Sequence, residues 1–76
     1  MENQKSKTEI LKEHFAKAIR AARKAAGLTQ KQLAEIINVE HSLIAKYEAQ
    51  KAMPSAIKIY EICEALEIPV TELFNI

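Results

Sequence analysis

The stretch LTQKQLAEIINVEHSLIAKYE, residues 28–48, contains two short helical patterns separated by three residues, 38–40. Thr29 has the side chain of a helix N-cap, and Gln32 follows at the position that completes a capping box. Asn38 tolerates the left-handed conformation in which helices commonly end. The stretch therefore predicts two helices joined by a tight turn, and such a turn makes the helices cross at a steep angle.

Apolar residues recur at spacings of three and four on both sides of this stretch, which predicts a helix on each side. The upstream pattern begins at Glu9 and ends before Gly27, and the downstream pattern begins after Pro54 and ends before Pro69. A last short helix is predicted at about residues 70–74. The recurring positions are Leu11, Phe15, Ile19, Ala22 and Ala26 upstream, and Ile59, Ile62, Cys63 and Leu66 downstream.

These patterns together predict an all-α fold, a compact bundle of five short helices around one core. The chain has 76 residues, 49% of them hydrophobic, which allows one domain. Residues 1–8 are polar and aperiodic, so we predict a flexible N-terminal tail there and a single folded domain over residues 9–76.

Charge and cysteine content narrow the functional classes. The formal net charge is +1, but residues 1–39 hold eight Lys or Arg against four Glu, which suggests a basic face near the N-terminal half, with ordinary solvated helix faces as the alternative. The single cysteine, Cys63, excludes an intrachain disulfide. No apolar stretch approaches a membrane span of about 20 residues, and the N-terminus lacks the apolar core of a signal peptide. We therefore predict a cytoplasmic protein with no membrane partner.

The composition argues against an enzyme. The chain has no Asp, and His14 and His41 lie far apart without a neighbouring cluster of ligands, so no metal site is predicted. There is no Gly-rich phosphate loop, and Cys63 has no nearby His to activate it. We predict no catalytic residue, no cofactor and no small-molecule ligand.

A helical projection of residues 41–49 separates two faces. Ile44, Tyr47 and Glu48 fall on one side. The opposite side is small or polar and includes one cation and no anion; it comprises Ser42, Ala45, Lys46 and Ala49, flanked by His41 and Leu43. Such a face suits close approach to base edges, although an ordinary solvent face remains the alternative.

The chain resembles the helix-turn-helix family of phage repressor and Cro proteins, of the xenobiotic-response-element type. The resemblance runs from about Phe15 to Phe74. It implies a lambda-repressor-like fold that binds double-stranded operator DNA, commonly as a dimer on a palindrome, and that acts as a repressor by inserting helix 41–49 into the major groove. The residues that carry it are Arg23, Gly27, Leu28, Thr29, Gln30, Leu33, Ala34, Ile44, Glu48, Pro54, Ala65 and Leu66.

The resemblance also implies roles for individual residues. Gln30 and Lys31 would contact phosphate, Gln30 with its side chain or through the amides at the start of its helix. Base edges or adjacent phosphates would be reached by His41, Ser42 and Lys46, and Leu43 would pack on a thymine methyl or on sugar. Arg23 and Glu48 would form a partly buried ion pair that joins the first helix to the recognition helix.

The C-terminal apolar residues exceed what so short a helix needs for its own packing, and we predict that they form a homodimer interface. These residues are Val70, Leu73, Phe74 and Ile76. The alternative is that Leu73 and Phe74 close the core of the monomer.

Some positions depart from the family pattern and suggest other functions. Glu40 stands where the family has a Ser or Thr cap, Asn38 and Gln50 replace two glycines, and Leu43 and Ala45 make the reading face partly apolar. The segments GLTQKQLAEIIN and IAKYEAQKAMP are also similar to multiprotein bridging factors, which use this fold as a protein adaptor. An antitoxin or restriction controller, which shares the DNA chemistry, is a third possibility.

Overall fold

The computed structural model describes residues 5–75, and all regular structure in that range is helical. The prediction of an all-α, five-helix fold is confirmed. The helices are, in chain order, α1 (Lys7–Ala25), α2 (Gln30–Ile36), α3 (His41–Glu48), α4 (Ala56–Leu66) and α5 (Val70–Phe74). No helix in this range has both the length and the apolar character needed to cross a bilayer.

Side-chain caps explain where most of the helices begin. α1 starts two residues before Glu9, because the Ser6 hydroxyl accepts from the Glu9 N–H while the Glu9 carboxylate accepts from the Ser6 N–H. Thr29 and Gln32 form the predicted capping box of α2. Residues 7 and 8 of the predicted tail are therefore helical, and residues 1–4 lie outside the described range.

Four helices end in the same backbone motif, with one residue in the left-handed conformation followed by a backbone hydrogen bond that spans five residues. The left-handed residues are Gly27, Asn38, Gln50 and Glu67, with φ between 58° and 75°. The bonds run from Leu28 to Arg23, Val39 to Ala34, Lys51 to Lys46 and Ile68 to Cys63, at 2.8–3.1 Å. In three of them the donor is an apolar residue that packs against the core: Leu28, Val39 and Ile68. Gln50 thus keeps the conformation that glycine favours.

We predict that Gln50→Gly stabilises the protein by about 1 kcal/mol, because a Cβ at positive φ costs about that much. Ala49→Gly is the matched control. Ala49 has φ −92°, so glycine there only adds backbone freedom to the unfolded chain and should destabilise. Urea unfolding of both variants measures the two effects, and equal losses of stability would contradict the argument.

The core lies where the inner faces of all five helices meet. Phe15 and Ile19 of α1, predicted from the upstream pattern, are buried, whereas Ala26 is exposed because α1 has already ended. α3 packs against α1 and α2, and α5 packs against α1 and α4. The core residues are Phe15, Ala16, Ile19, Leu33, Ala34, Ile44, Tyr47, Ile59, Ile62, Cys63, Leu66 and Leu73. α3 therefore buries one face and leaves the opposite face uncovered within residues 5–75.

Candidate functional site

The two faces of α3 differ as the helical projection predicts. Ile44 and Tyr47 are buried in the core, and burial raises the pKa of the Tyr47 hydroxyl. The exposed side carries His41, Ser42 and Lys46. Eight residues at about 1.5 Å per residue make α3 about 12 Å long, which is comparable with the width of the major groove of DNA. The helix thus presents a short, mostly polar outer face.

Leu43 and Ala45 are less available than the projection implies. Leu43 is half-buried and packs against the core, so only part of its side chain is open to a partner. Ala45 is half-buried as well. The exposed face of α3 is therefore more polar than its sequence indicates. At the start of the helix Glu40 occupies the N-cap position and makes no side-chain capping bond, as its length and charge predict.

A buried ion pair fixes α3 to α1. Arg23 Nε donates to Glu48 Oε2 at 2.7 Å, and an Nη atom of Arg23 donates to Glu48 Oε1 at 3.0 Å. The other Nη atom donates to the Leu28 carbonyl at 2.7 Å. The side chains of Arg23 and Glu48 are 10% and 4% exposed. This two-point contact leaves α3 little freedom to rotate against α1.

Gln30 joins the same network, which the sequence pattern did not predict. Its Nε2 donates to Glu48 Oε1 at 3.0 Å, so the first residue of α2 is linked to the last residue of α3. The Gln30 side chain is half-buried, whereas Lys31 beside it is exposed and forms no ion pair within residues 5–75. Gln30 therefore has a structural contact in addition to the phosphate contact predicted for it.

Arg23 and Glu48 stabilise each other in their charged forms. Burial would raise the pKa of Glu48, but hydrogen bonds from Arg23 and Gln30, together with the positive charges of Arg23 and Arg20, outweigh it and hold the pKa below its ordinary value. The hydrogen bond to Glu48 raises the pKa of Arg23 despite the burial of the guanidinium. Both groups are therefore charged at neutral pH.

The lowered pKa of Glu48 predicts a specific pH dependence. The stability that its carboxylate contributes is fully present above the unfolded-state pKa, near 4.5, and is lost as the pH falls through the lower folded-state pKa. The free-energy gap between wild type and Glu48→Gln should therefore be constant at neutral pH and shrink below pH 4.5. Urea unfolding across a pH series measures this gap.

Glu13 provides the control for that experiment. A hydrogen bond from Lys5 lowers its pKa too, but its carboxylate is at the surface, where solvent screens the interaction. Glu13→Gln should therefore show almost no gap from wild type at any pH. A gap that is the same for both variants would rule out burial as the source of the effect.

Arg20 is a further cation beside α3 that the sequence analysis did not select. It is exposed on α1 and borders a shallow notch together with Ala45 on the outer face of α3 and Ala49 at the C-cap of that helix. The sequence signal was the spacing of three between Arg20 and Arg23, which places both on neighbouring positions of one helix. Arg20 thus places a cation of α1 next to the outer face of α3.

The predicted dimer residues fall in different environments. Val70 and Phe74 are exposed, but Leu73 is 1% exposed within the monomer core, so its assignment to a dimer surface is wrong. It points inward because α5 packs against both α1 and α4. Ile76 lies outside the described residues. Two exposed apolar residues of α4, Ile57 and Tyr60, were missed because they fall outside its buried stripe.

Cys63 and His14, which were considered for catalysis or metal binding, lie where their side chains contribute to packing and to contacts between helices. Burial raises the pKa of the Cys63 thiol. His14 donates from Nε2 to the Leu73 carbonyl, which connects α1 to α5. Among residues 5–75 no group of three His, Cys or Glu side chains is arranged to hold a metal ion.

Comparison with known proteins points to one family. The profile described as Helix-turn-helix matches residues 19–73. A curated protein from Rhodospirillum rubrum, an uncharacterized transcriptional regulator in the ATPase CF(0) region, is 36% identical over 62 residues. That match covers 82% of this chain and 57% of the relative, so the chain spans little more than half of the relative's length.

Solved structures show the same architecture. The restriction-modification controller protein C.AhdI from Aeromonas hydrophila superposes with a TM-score of 0.79 at 30% identity, covering 83% of this chain and 96% of C.AhdI. The clp gene regulator ClgR from Corynebacterium glutamicum has a TM-score of 0.82 at 26% identity, covering 86% of this chain and 69% of ClgR. The fold is therefore shared with a restriction-modification controller protein and with a clp gene regulator.

Proposed function

Because this chain belongs to the Cro/C1-type helix-turn-helix family of transcriptional regulators, we propose that it binds double-stranded DNA by inserting α3 into the major groove. The observation that carries the proposal is the exposed face of α3, held in place by the buried pair of Arg23 and Glu48. A rigid helix with short polar side chains on its free face meets the geometric requirement for reading base edges.

The exposed side chains of α3 divide into proposed roles. Lys46 donates to acceptors on a base edge, such as guanine O6 and N7. His41 and Ser42, in the first turn, contact bases or the adjacent phosphates, and the exposed part of Leu43 packs on a thymine methyl or on sugar. Lys31 and Gln30, at the start of α2, contact phosphate and set the position of α3.

We further propose that the protein is a repressor that binds a palindromic operator as a homodimer. Val70 and Phe74 of α5 are 37% and 48% exposed, and Ile57 and Tyr60 of α4 are 69% and 58% exposed. Large apolar side chains with this much exposure are candidates for an interface. A two-fold dimer would present two copies of α3 to DNA and would require two half-sites about one helical turn apart.

Selection from a random duplex pool tests the proposal. The purified protein is used to enrich binding sequences, and the enriched and random duplexes are then titrated at two salt concentrations. We expect an enriched two-fold symmetric site that binds far more tightly than random DNA, with a steep salt dependence. A pool that stays random, with weak binding throughout, would instead favour the adaptor function of multiprotein bridging factors.

Lys46→Ala should weaken binding to the enriched site by about 1–3 kcal/mol per half-site and relax the preference at one base position of each half-site, because a base-edge contact is lost there. Repeating the selection with the variant reveals the relaxed position. Lys7→Ala removes the same charge from the exposed first turn of α1 and is the control. If both variants enrich the same sequence as the wild type, Lys46 does not read a base.

A further inference from the structure

A shallow notch lies between α1 and the outer face of α3. Two alanines one helical turn apart line it, Ala45 of α3 and Ala49 at the C-cap of that helix, and their side chains are too short to fill it. α1 and the start of α2 also contribute residues to its lining. The residues that line it are Arg20, Arg23, Gln30, Ala45, Glu48 and Ala49.

The charges around the notch leave one cation unbalanced. Glu48 Oε2 accepts from Arg23, and Oε1 accepts from both Arg23 and Gln30, so the carboxylate receives three hydrogen bonds and its charge is balanced by Arg23. Arg20 is exposed and forms no ion pair within the part of the chain that the structure describes. The notch therefore has a net positive charge, and that charge comes from Arg20.

The shape and the charge of the notch indicate which kind of ligand it can bind. A guanidinium presents N–H groups in a planar fork that matches the two oxygens of a phosphate. The short side chains of Ala45 and Ala49 let a group of that size approach the surface of α3 closely. Arg23 is committed to Glu48 and to the Leu28 carbonyl, so the site has one available fork, that of Arg20.

We propose that this notch binds one phosphodiester group of the DNA strand bordering the groove that α3 enters, with Arg20 donating to its non-bridging oxygens. The proposal rests on the proposed function, because it requires α3 to lie in the groove. It makes α1 part of the DNA interface, where it sets the depth and position of α3 without reading any base.

Arg20→Ala tests the proposal, with Lys7→Ala as the charge-matched control on the same helix. We expect Arg20→Ala to weaken binding to the enriched and the random duplex alike, by roughly ten-fold or more. The slope of log affinity against log salt should fall in magnitude by about 0.9 for each half-site, because one phosphate contact is lost there, and so by about 1.8 for a two-fold symmetric site bound by two chains. Arg20→Lys keeps the charge without the fork and should lie between wild type and Arg20→Ala.

A set of duplexes, each with one uncharged methylphosphonate linkage, locates the contact. At one linkage in each half-site, neutralisation should weaken binding of the wild type but leave binding of Arg20→Ala unchanged. Circular dichroism confirms that each variant is folded. Arg20 is exposed, so its replacement should leave the midpoint of urea unfolding close to that of the wild type.

The outcomes of these experiments distinguish the proposal that Arg20 binds a phosphate from the proposal that the protein binds DNA through α3. If the wild type binds no duplex DNA, both are overturned. If it binds DNA but Arg20→Ala behaves like Lys7→Ala, or if no linkage distinguishes Arg20→Ala from the wild type, the notch does not hold a phosphate and only this proposal fails. A changed enriched sequence for Arg20→Ala would show base reading and would also contradict it.

Discussion

Replacing Arg23 by Met should lower the free energy of unfolding by about 3–5 kcal/mol. The substitution keeps much of the side-chain volume but leaves the Glu48 carboxylate buried with Gln30 as its one remaining side-chain donor. An isolated buried charge is far more costly than the loss of a surface pair. Small domains have total stabilities at the low end of about 5–15 kcal/mol, so much of the variant should be unfolded in mild denaturant.

Two further variants show whether the loss comes from the unpaired charge. Arg23→Met combined with Glu48→Met removes both charges and should recover much of the stability, because no buried charge remains. Arg20→Met makes the same replacement at an exposed position of α1 and should change stability by less than about 0.5 kcal/mol. Urea unfolding at neutral pH compares them. A double variant no more stable than Arg23→Met would contradict the unpaired-charge explanation.

Phe15→Ala should have an effect of similar size, about 3–5 kcal/mol, because it opens a cavity in the centre of the core. Phe15 is 2% exposed, and its ring forms T-shaped pairs with the rings of His14 and Phe74, with centroids 5.1 and 5.2 Å apart. The ring therefore holds α5 against α1. Thermal and urea unfolding followed by circular dichroism measure the loss.

Phe74→Ala is the matched control, since it removes the same side chain from a half-exposed position. It should cost much less than Phe15→Ala, and part of its cost is the edge contact, worth about 0.5–1.5 kcal/mol. The double variant should lose less than the sum of the two single losses, because each single variant already removes that contact. Additive losses would mean that the contact contributes nothing to stability.

Local signals in the sequence predicted the helices well. The capping box of Thr29 and Gln32 set the start of α2, and Ser55, next to Pro54, caps α4. These signals work because they act within a few residues, where chain geometry is nearly fixed. Ser6 carries the same capping-box signal before α1, but the polar character of residues 1–8 concealed it.

The candidate site was only partly predictable. Helical spacing separated the faces of α3, since a single helix determines them. The contact of Gln30 with Glu48 and the position of Arg20 beside Ala45 depend on how α1, α2 and α3 cross. The burial of Leu73 likewise depends on where α5 docks. The spacing of apolar residues within one helix contains no information on the angles at which that helix crosses its neighbours.

The repeated ending of the helices bears on how freely the loops can change during evolution. Three of the four left-handed positions are occupied by Asn38, Gln50 and Glu67, so residue type at that position is not what ends the helix. The following residue is apolar in three of the four cases and is anchored in the core. The left-handed positions are therefore open to sequence drift at a modest cost in stability, whereas the anchoring positions are constrained. Related chains are expected to vary at residues 38, 50 and 67 and to keep an apolar side chain at residues 28, 39 and 68.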